Sequence, residues 1–445
     1  MKLTKKETNE KIKKSKEIIK KEKQKIKAEK KKQRQEKINK NKLLTKFFKP
    51  KKEETEALSV SEQIFSMLYF ELIGVILCLL VLFVLSGGKN YFKLYSDLKK
   101  LINVYDTIDS NYYGDLDKEE LIDTAINSMI TSLGDDYTIY TDDATANDFL
   151  EELQGTYEGI GCTVSMNMNG EIVVVSLFED GPAKKAGLKE NDIILKVDNE
   201  DFTDKTSEEM ANYVKTSSNS KLKFTIKRND EEQEITIKRE KVEVPTVTSK
   251  IIEQEDKKIG YIDISIFSAV TYEQFKSQLE DLEKDGIEGL IIDVRSDTGG
   301  YLSAVTDISN LFLKKGKIIY QLEDDNGIEK IKDTTKEHRE YPVAVLINGS
   351  SASASEILAS AIKESYGGII VGTNSYGKGT VQKTQMLNDG SMLKYTTQNW
   401  LTPKGNWINE KGVEPTVEVQ YDILSETDNQ LEATLTEIIN KLNQK

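Results

Sequence analysis

YPVAVLINGSSASASEILASAIKESYGGIIVGTNSYGKGTVQ, residues 341–382, contains two apolar runs, a cluster of hydroxyls, a helical pattern and a lysine framed by glycines. Val343 to Ile347 reads as a strand that stops at Asn348-Gly349, and the serines after it lead into a helical pattern from Glu356 to Ile362. Gly368 to Val371 is a second apolar run, followed by a loop carrying Lys378 between Gly377 and Gly379. A sharp strand-to-helix turn can present a nucleophilic serine, because the helix N-terminus offers unpaired N–H groups to a developing oxyanion. The order strand, turn, helix, strand predicts an α/β domain whose chemistry sits in its loops. It leaves open which base would activate the serine.

The chain has one histidine, His338, within the polar run Thr334 to Glu340. That setting predicts an exposed loop residue and argues against a Ser-His-Asp triad. A lysine can serve as base instead when burial lowers its pKa toward neutrality. Lys378 is the candidate, and Gln382, four residues on, would hold the amine if the spacing is helical. Taken alone, Lys378 is a solvated loop lysine, and Ser353 with Glu356 forms an S-x-x-E capping pattern. Capping and catalysis need not exclude each other. A rival reading is a nucleotide-binding loop: Gly372 to Lys378 fits G-x-x-x-x-G-K, and Leu290 to Asp293 resembles an acidic strand of such proteins. Against it, Gly379 stands where a Mg²⁺-binding hydroxyl should follow the lysine, and the acidic strand precedes the loop.

The 445 residues suit two or three domains, and the net charge of -13 is unevenly spread. Residues 1–52 hold 23 Lys+Arg against 6 Asp+Glu, so the remainder is strongly acidic. Between them, Ile64 to Ser86 is 23 residues with Glu71 as the one charge. At ~1.5 Å per residue such a helix spans a ~30 Å hydrocarbon core. The reading is a retained transmembrane helix at 64–86 after a Lys-rich cytoplasmic tail at 1–63, with residues 88–445 outside the cytoplasm by the positive-inside rule. Leu85-Ser86-Gly87 is a poor signal-peptide cleavage site. The tail, with a weak helical repeat from Lys2 to Lys42, reads as solvated and partly helical rather than lipid- or nucleic-acid-bound, and no nucleic-acid partner is expected. Cys78 and Cys162 fall in different segments and should not pair.

Residues 88–150 show amphipathic helical patterns and no visible chemistry, which predicts a packing or dimerisation segment. From 151 to 242 the pattern turns to short strands with two short helices. GIGCTVSM, GPAKKAGL and NDIILKVDN, beginning at Gly159, Gly181 and Asn191, together resemble a PDZ domain of the kind found in processing proteases. The resemblance implies that the amides of Gly159, Ile160, Gly161 and Cys162 hold a peptide's terminal carboxylate, while the peptide adds as a strand beside Cys162 to Ser165. From 243 to 425 strands and helices alternate, predicting a crossover sheet with its site at the carboxyl ends of the strands. Residues 426–445 read as a C-terminal amphipathic helix.

IGYIDISIF (259–267), GLIIDVRSDTGG (289–300), INGSSASASEILASAI (347–362), VGTNSYGKGTVQ (371–382) and NWLTPKGNWINEKGVEPTVEV (399–419) resemble the C-terminal processing peptidase, or tail-specific protease, family. The resemblance runs from about residue 95 to 425. It implies Ser353 as nucleophile, Lys378 as base, Gln382 as the residue that positions the lysine, and the amides of Ala354 and Gly299 as the oxyanion hole. Thr298 stands where the family usually has proline or serine. The expected architecture is a multidomain chain: transmembrane helix, helical segment, PDZ domain and α/β serine protease core. The expected activity is endoproteolysis of extracytoplasmic proteins with apolar C-terminal tails by a membrane-anchored homodimer, with the helices before the PDZ domain and residues 424–445 as dimerising ends. No metal or organic cofactor is implied. A non-catalytic PDZ scaffold is the further alternative, opposed by intact Ser353, Lys378 and Gln382.

Overall fold

The computed structural model describes residues 60–85 and 91–444, without the side chains of residues 60–63, 78–80, 82–85, 91–95 and 97. Residues 1–59 of the expected Lys-rich tail lie outside the described residues. The chain divides into two compact units between Leu116 and Asp117. In the first, α1 (Val60–Leu85) covers the expected span and α2 (Tyr91–Asn111) follows it. Among the described residues no helix is long and apolar enough to cross a membrane. Part of the apolar run expected to do so, at 78–80 and 82–86, is outside the described side chains.

The second unit opens with α3 (Lys118–Thr131), β1 (Ile139–Thr141) and α4 (Asp143–Gln154). Asp117 caps α3 by accepting from the N–H groups of Glu119 and Glu120. The β-rich domain comprises β2 (Thr156–Gly159), β3 (Cys162–Met166), β4 (Ile172–Leu177), α5 (Pro182–Lys185), β5 (Ile193–Val197), β6 (Glu200–Asp201), α6 (Ser207–Thr216), β7 (Lys221–Arg228), β8 (Glu231–Lys238) and β9 (Glu240–Glu243). Its main sheet has the order β3-β4-β5-β7-β8. Along β7, exposed Lys221 and Lys223 alternate with buried Leu222 and Phe224, so one face packs and the other meets water. Met210 and Val214 of α6 close this core. Strand β3 lies at the edge of the sheet.

The α/β domain follows with β10 (Val247–Gln254), β11 (Lys257–Ile264), α7 (Thr271–Lys284), β12 (Gly289–Asp293), α8 (Leu302–Asn310), β13 (Ile318–Asp324), β14 (Gly327–Lys332), β15 (Val343–Ile347) and α9 (Ala354–Ala361). Helix α9 runs into a π-helical turn, Ile362–Tyr366, before β16 (Ile369–Gly372), β17 (Thr380–Met386), β18 (Met392–Leu401), β19 (Val417–Glu418) and α10 (Asn429–Asn443). The central sheet has the order β10-β11-β12-β15-β16-β19, parallel from β11 onward. Every residue of β12, β15 and β16 is buried, which is why these strands read as unbroken apolar runs. Leu290 and Ile292 face the layer of α7, α8 and α9, while Ile291 faces α10 with Leu435 and Ile438.

The strand order advances in one direction, so the right-handed crossovers α7, α8 and α9 lie on one face. The carboxyl ends of β12, β15 and β16 carry the candidate loops as expected, but without the reversal of strand order that usually opens a crevice there. A second sheet supplies the wall instead: β18 pairs antiparallel with β1, β13 and β17. A further correction concerns α10. Its apolar residues Leu431, Leu435, Ile438, Ile439 and Leu442 were expected to form a dimerising end. Ile438 is fully buried, and the helix packs its apolar face on the chain's own sheet. Arg295 ties the start of α10 to the loop after β12 by pairing with both Asp293 and Asp428.

Candidate active site

The turn after β15 is built from its own serines. Ser351 is fully buried, donates its hydroxyl to the carbonyl of Val294 at 2.7 Å, and accepts from the N–H of Asn348. Ser355, also buried, donates to the carbonyl of Asp297. Both hydroxyls lock the turn to the loop after β12. Ser353 is the N-cap of α9 at φ 55°, ψ -110°. A non-glycine residue held there stores strain on the order of 1–3 kcal/mol, maintained only by over-determined surroundings. Ser353 is partly exposed and lines a cavity of about 450 Å³.

Lys378 lines the same cavity, together with Gly299, Gln382 and Lys394. Burial holds its amine down at about 8; Lys394 pushes the same way, while Glu356 and Asp135 oppose. The ring of Tyr137 lies 5.0 Å from Lys378 Nζ. After Lys378 the chain enters β17, so no helix N-terminus receives the loop. This removes the geometry a phosphate-binding G-x-x-x-x-G-K loop requires. The helical relation assumed between Lys378 and Gln382 is also overturned, since Gln382 stands on β17 at a register shift between Val381 and Gln382. The shift re-aims its side chain. Gln382 Nε2 donates to Thr380 Oγ1 at 2.9 Å and Thr396 Oγ1 at 3.2 Å, which turns Oε1 into the atom that can accept from an amine.

Glu356 was read as a capping residue and does more. Its fully buried carboxylate accepts from the N–H of Ser353 at 2.8 Å, Lys378 at 2.9 Å and Gly377 at 2.7 Å, and from Ser375 Oγ at 2.6 Å. One side chain thus fixes the serine turn and the lysine loop to each other. Burial pushes its pKa upward against these four donors.

Gly299 fits tightly behind the serine. Its φ of 103° favours glycine, and a Cβ there would lie 2.9 Å from Ala354 N. Ala354 brings its N–H to the first turn of α9, where no intrahelical acceptor exists. The N–H of Gly299, in contrast, donates to Asp297 Oδ1 at 2.8 Å. Asp297 is fully buried, its second oxygen has no partner, and burial pushes its carboxyl up to about 8. His338 is exposed and lies beside Glu340, 3.7 Å away.

In the β-rich domain, Gly159 ends β2, Ile160 is buried, Gly161 has φ 72° and Cys162 begins β3. The carbonyls of Ile160 and Gly161 accept from Ala183 and Phe178, which anchors the loop. Cys162 is a free thiol that burial pushes up to about 12, so it is an inert lining group.

Comparison with known proteins adds three family matches: Peptidase family S41 over residues 258–419, PDZ domain over 159–238, and the activating protease CtpB N-terminal domain over 85–145. The chain is 39% identical over 326 residues to the carboxy-terminal processing protease CtpB of Bacillus subtilis, covering 73% of this chain and 68% of that one. The carboxy-terminal processing protease CtpA of the same organism is 38% identical, covering 73% and 69%. Among solved structures, a photosystem II D1 C-terminal processing protease aligns with 79% of this chain and 91% of its own, at 24% identity and a TM-score of 0.45.

Proposed function

Since the chain belongs to peptidase family S41, as a serine-type carboxy-terminal processing protease with a PDZ domain, we propose that Ser353 and Lys378 form its dyad. The observation that carries this reading is a strained helix-capping serine and a lysine of depressed pKa lining one cavity. Neutral Lys378 takes the proton of Ser353 Oγ as the oxygen attacks the scissile carbonyl. The Oε1 of Gln382 orients the amine. The N–H of Ala354 receives the oxyanion, joined by that of Gly299 once it leaves Asp297. The protonated lysine returns its proton to the leaving amine, and water then releases the acyl group from Ser353.

The PDZ domain takes the apolar C-terminal tail of an unfolded or partly folded protein, its carboxylate at the loop Gly159, Ile160, Gly161 and Cys162 and its backbone along the free edge of β3. Residues 64–86 anchor the chain in a membrane with the tail in the cytoplasm and the catalytic part outside it. The hydropathy of the run and the lysines before it support this. Two copies associate through the helices ahead of the PDZ domain, where Ile122 and Met129 of α3 and Leu133 just after it are 44%, 61% and 65% exposed.

The test is cleavage of an unfolded protein with an apolar C-terminus by the full chain, beside Ser353→Ala and Lys378→Ala. Loss of cleavage in both folded variants is the expected result. Cleavage that survives either substitution overturns the dyad.

A further inference from the structure

The segment Asp135-Asp136-Tyr137-Thr138 stands more than 200 residues before the lysine loop, yet it meets the Lys378 amine. The ring face of Tyr137 lies over Lys378 Nζ, 5.0 Å from ring centroid to nitrogen. Tyr137 is not a loose lid. Its N–H donates to Asp135 Oδ1 at 3.1 Å, and the hydroxyl of Thr138 donates to Asp135 Oδ2 at 2.5 Å. Thr138 Oγ1 accepts in turn from the N–H of Thr396 at 3.2 Å. Thr396 is the same residue whose hydroxyl accepts from Gln382. Tyr376 neighbours the phenol, and its N–H donates to the carbonyl of Ser351 at 3.0 Å. The segment is therefore pinned, through Thr138 and Thr396, to the strand that pairs with Gln382.

We infer that Tyr137 is a positioning residue of this protease: its ring covers the Lys378 amine, keeping water from the nitrogen and holding it toward Ser353. The inference rests on the dyad reading above. The charged groups facing the amine are Asp135 from this segment, Glu356 from α9 and Lys394 from β18. The two carboxylates favour the ammonium and Lys394 disfavours it. The ring has two opposed effects on the amine. Its π face attracts an ammonium, which raises the pKa, and its bulk removes water, which lowers it. Burial is the largest influence on Lys378, and the inference gives the ring a share of it that outweighs the π attraction, so that loss of the ring makes the lysine a stronger, more protonated base.

The experiment is the pH profile of kcat/KM, from pH 6 to 10, for the full chain and for Tyr137→Ala, Tyr137→Phe, Thr138→Val and Lys378→Ala. Wild type rises through a single ionisation near the lysine value of about 8. A rise of about one unit in that midpoint lowers the rate of Tyr137→Ala about tenfold at pH 7 and leaves it within about threefold of wild type at pH 10. Tyr137→Phe, which keeps the ring, restores the wild-type midpoint. Thr138→Val leaves the ring in place but unpins it from Thr396, and shows the same pattern with a smaller loss; it carries the test if Tyr137→Ala does not fold. An equal loss at pH 7 and pH 10, or an unmoved midpoint, overturns the inference. Activity in Lys378→Ala instead overturns the dyad itself, so the two failures are distinguishable.

Discussion

Oε2 of Glu356 accepts the main-chain N–H of Lys378 at 2.9 Å, and through the same carboxylate the lysine loop is joined to the N–H of Ser353. Glu356→Ala leaves four buried donors without an acceptor, and Glu356→Gln turns an amide NH₂ toward some of them. Each unsatisfied donor costs ~1–3 kcal/mol, so both variants lose on the order of 3 kcal/mol or more of stability. Cleavage falls by at least about a hundredfold, because the two loops are no longer held in register. Denaturant unfolding that shifts by less than about 0.5 kcal/mol would show that the clamp is dispensable.

Lys394 lies in the same cavity, and its charge helps keep Lys378 neutral. Lys394→Met removes that repulsion, so the Lys378 pKa rises and the alkaline-rising limb of the rate moves to higher pH. A shift of about half a unit gives roughly a threefold loss at pH 7 and almost none at pH 10. The opposite displacement would mean that Lys394 acts on substrate rather than on the lysine.

Asp297 makes a distinct pH signature in stability. Its folded pKa, about 8, lies above the ordinary value of 3.8. Between those values the folded chain binds more protons at this site than the unfolded chain, so its contribution falls as pH rises through the window. Asp297→Asn keeps an oxygen that can accept from Gly299 and removes the buried charge. Relative to wild type it gains about 1–3 kcal/mol more at pH 8 than at pH 5, read by urea unfolding at the two pH values. An identical difference at both would place the proton elsewhere.

The PDZ loop is tested through Gly161, whose φ of 72° brings a would-be Cβ within 3.1 Å of Gly181 Cα. Gly161→Ala strains the loop by ~1–2 kcal/mol and weakens binding of a peptide with an apolar C-terminus by about tenfold. Amidating the peptide's carboxylate weakens binding to the unaltered chain to a similar degree. Indifference to amidation in fluorescence titration would remove the carboxylate from the recognition scheme.

The α/β core was legible because its parallel strands are buried on both faces, which forces apolar runs at Leu290, Val343 and Ile369 that turn residues interrupt. Ser353 and Lys378 stood out because glycines and small hydroxyl residues frame them. Gln382 was misjudged: KGTVQ is too short for a period, and β-branched Thr380 and Val381 carried the strand preference that the spacing argument ignored. Tyr137 was invisible, since its place depends on β1 pairing with a strand some 250 residues later, for which no local pattern exists. Glu356 showed only its local half, the cap, and hid its long-range half. The face of α10 was read as free because amphipathicity says that a helix has a partner without saying which one.

Strand β18 carries Lys394 and Thr396 and holds β1, β13 and β17 together, yet it is among the last strands of the chain to be made. A chain made only as far as residue 380 holds Ser353, Glu356, Lys378 and Tyr137, but not the strand that carries Lys394 and Thr396. Pairings this distant close late and slowly. A chain that stops before β18 therefore lacks the strand on which β1, β13 and β17 pair, and with it two of the side chains around the Lys378 amine and Gln382.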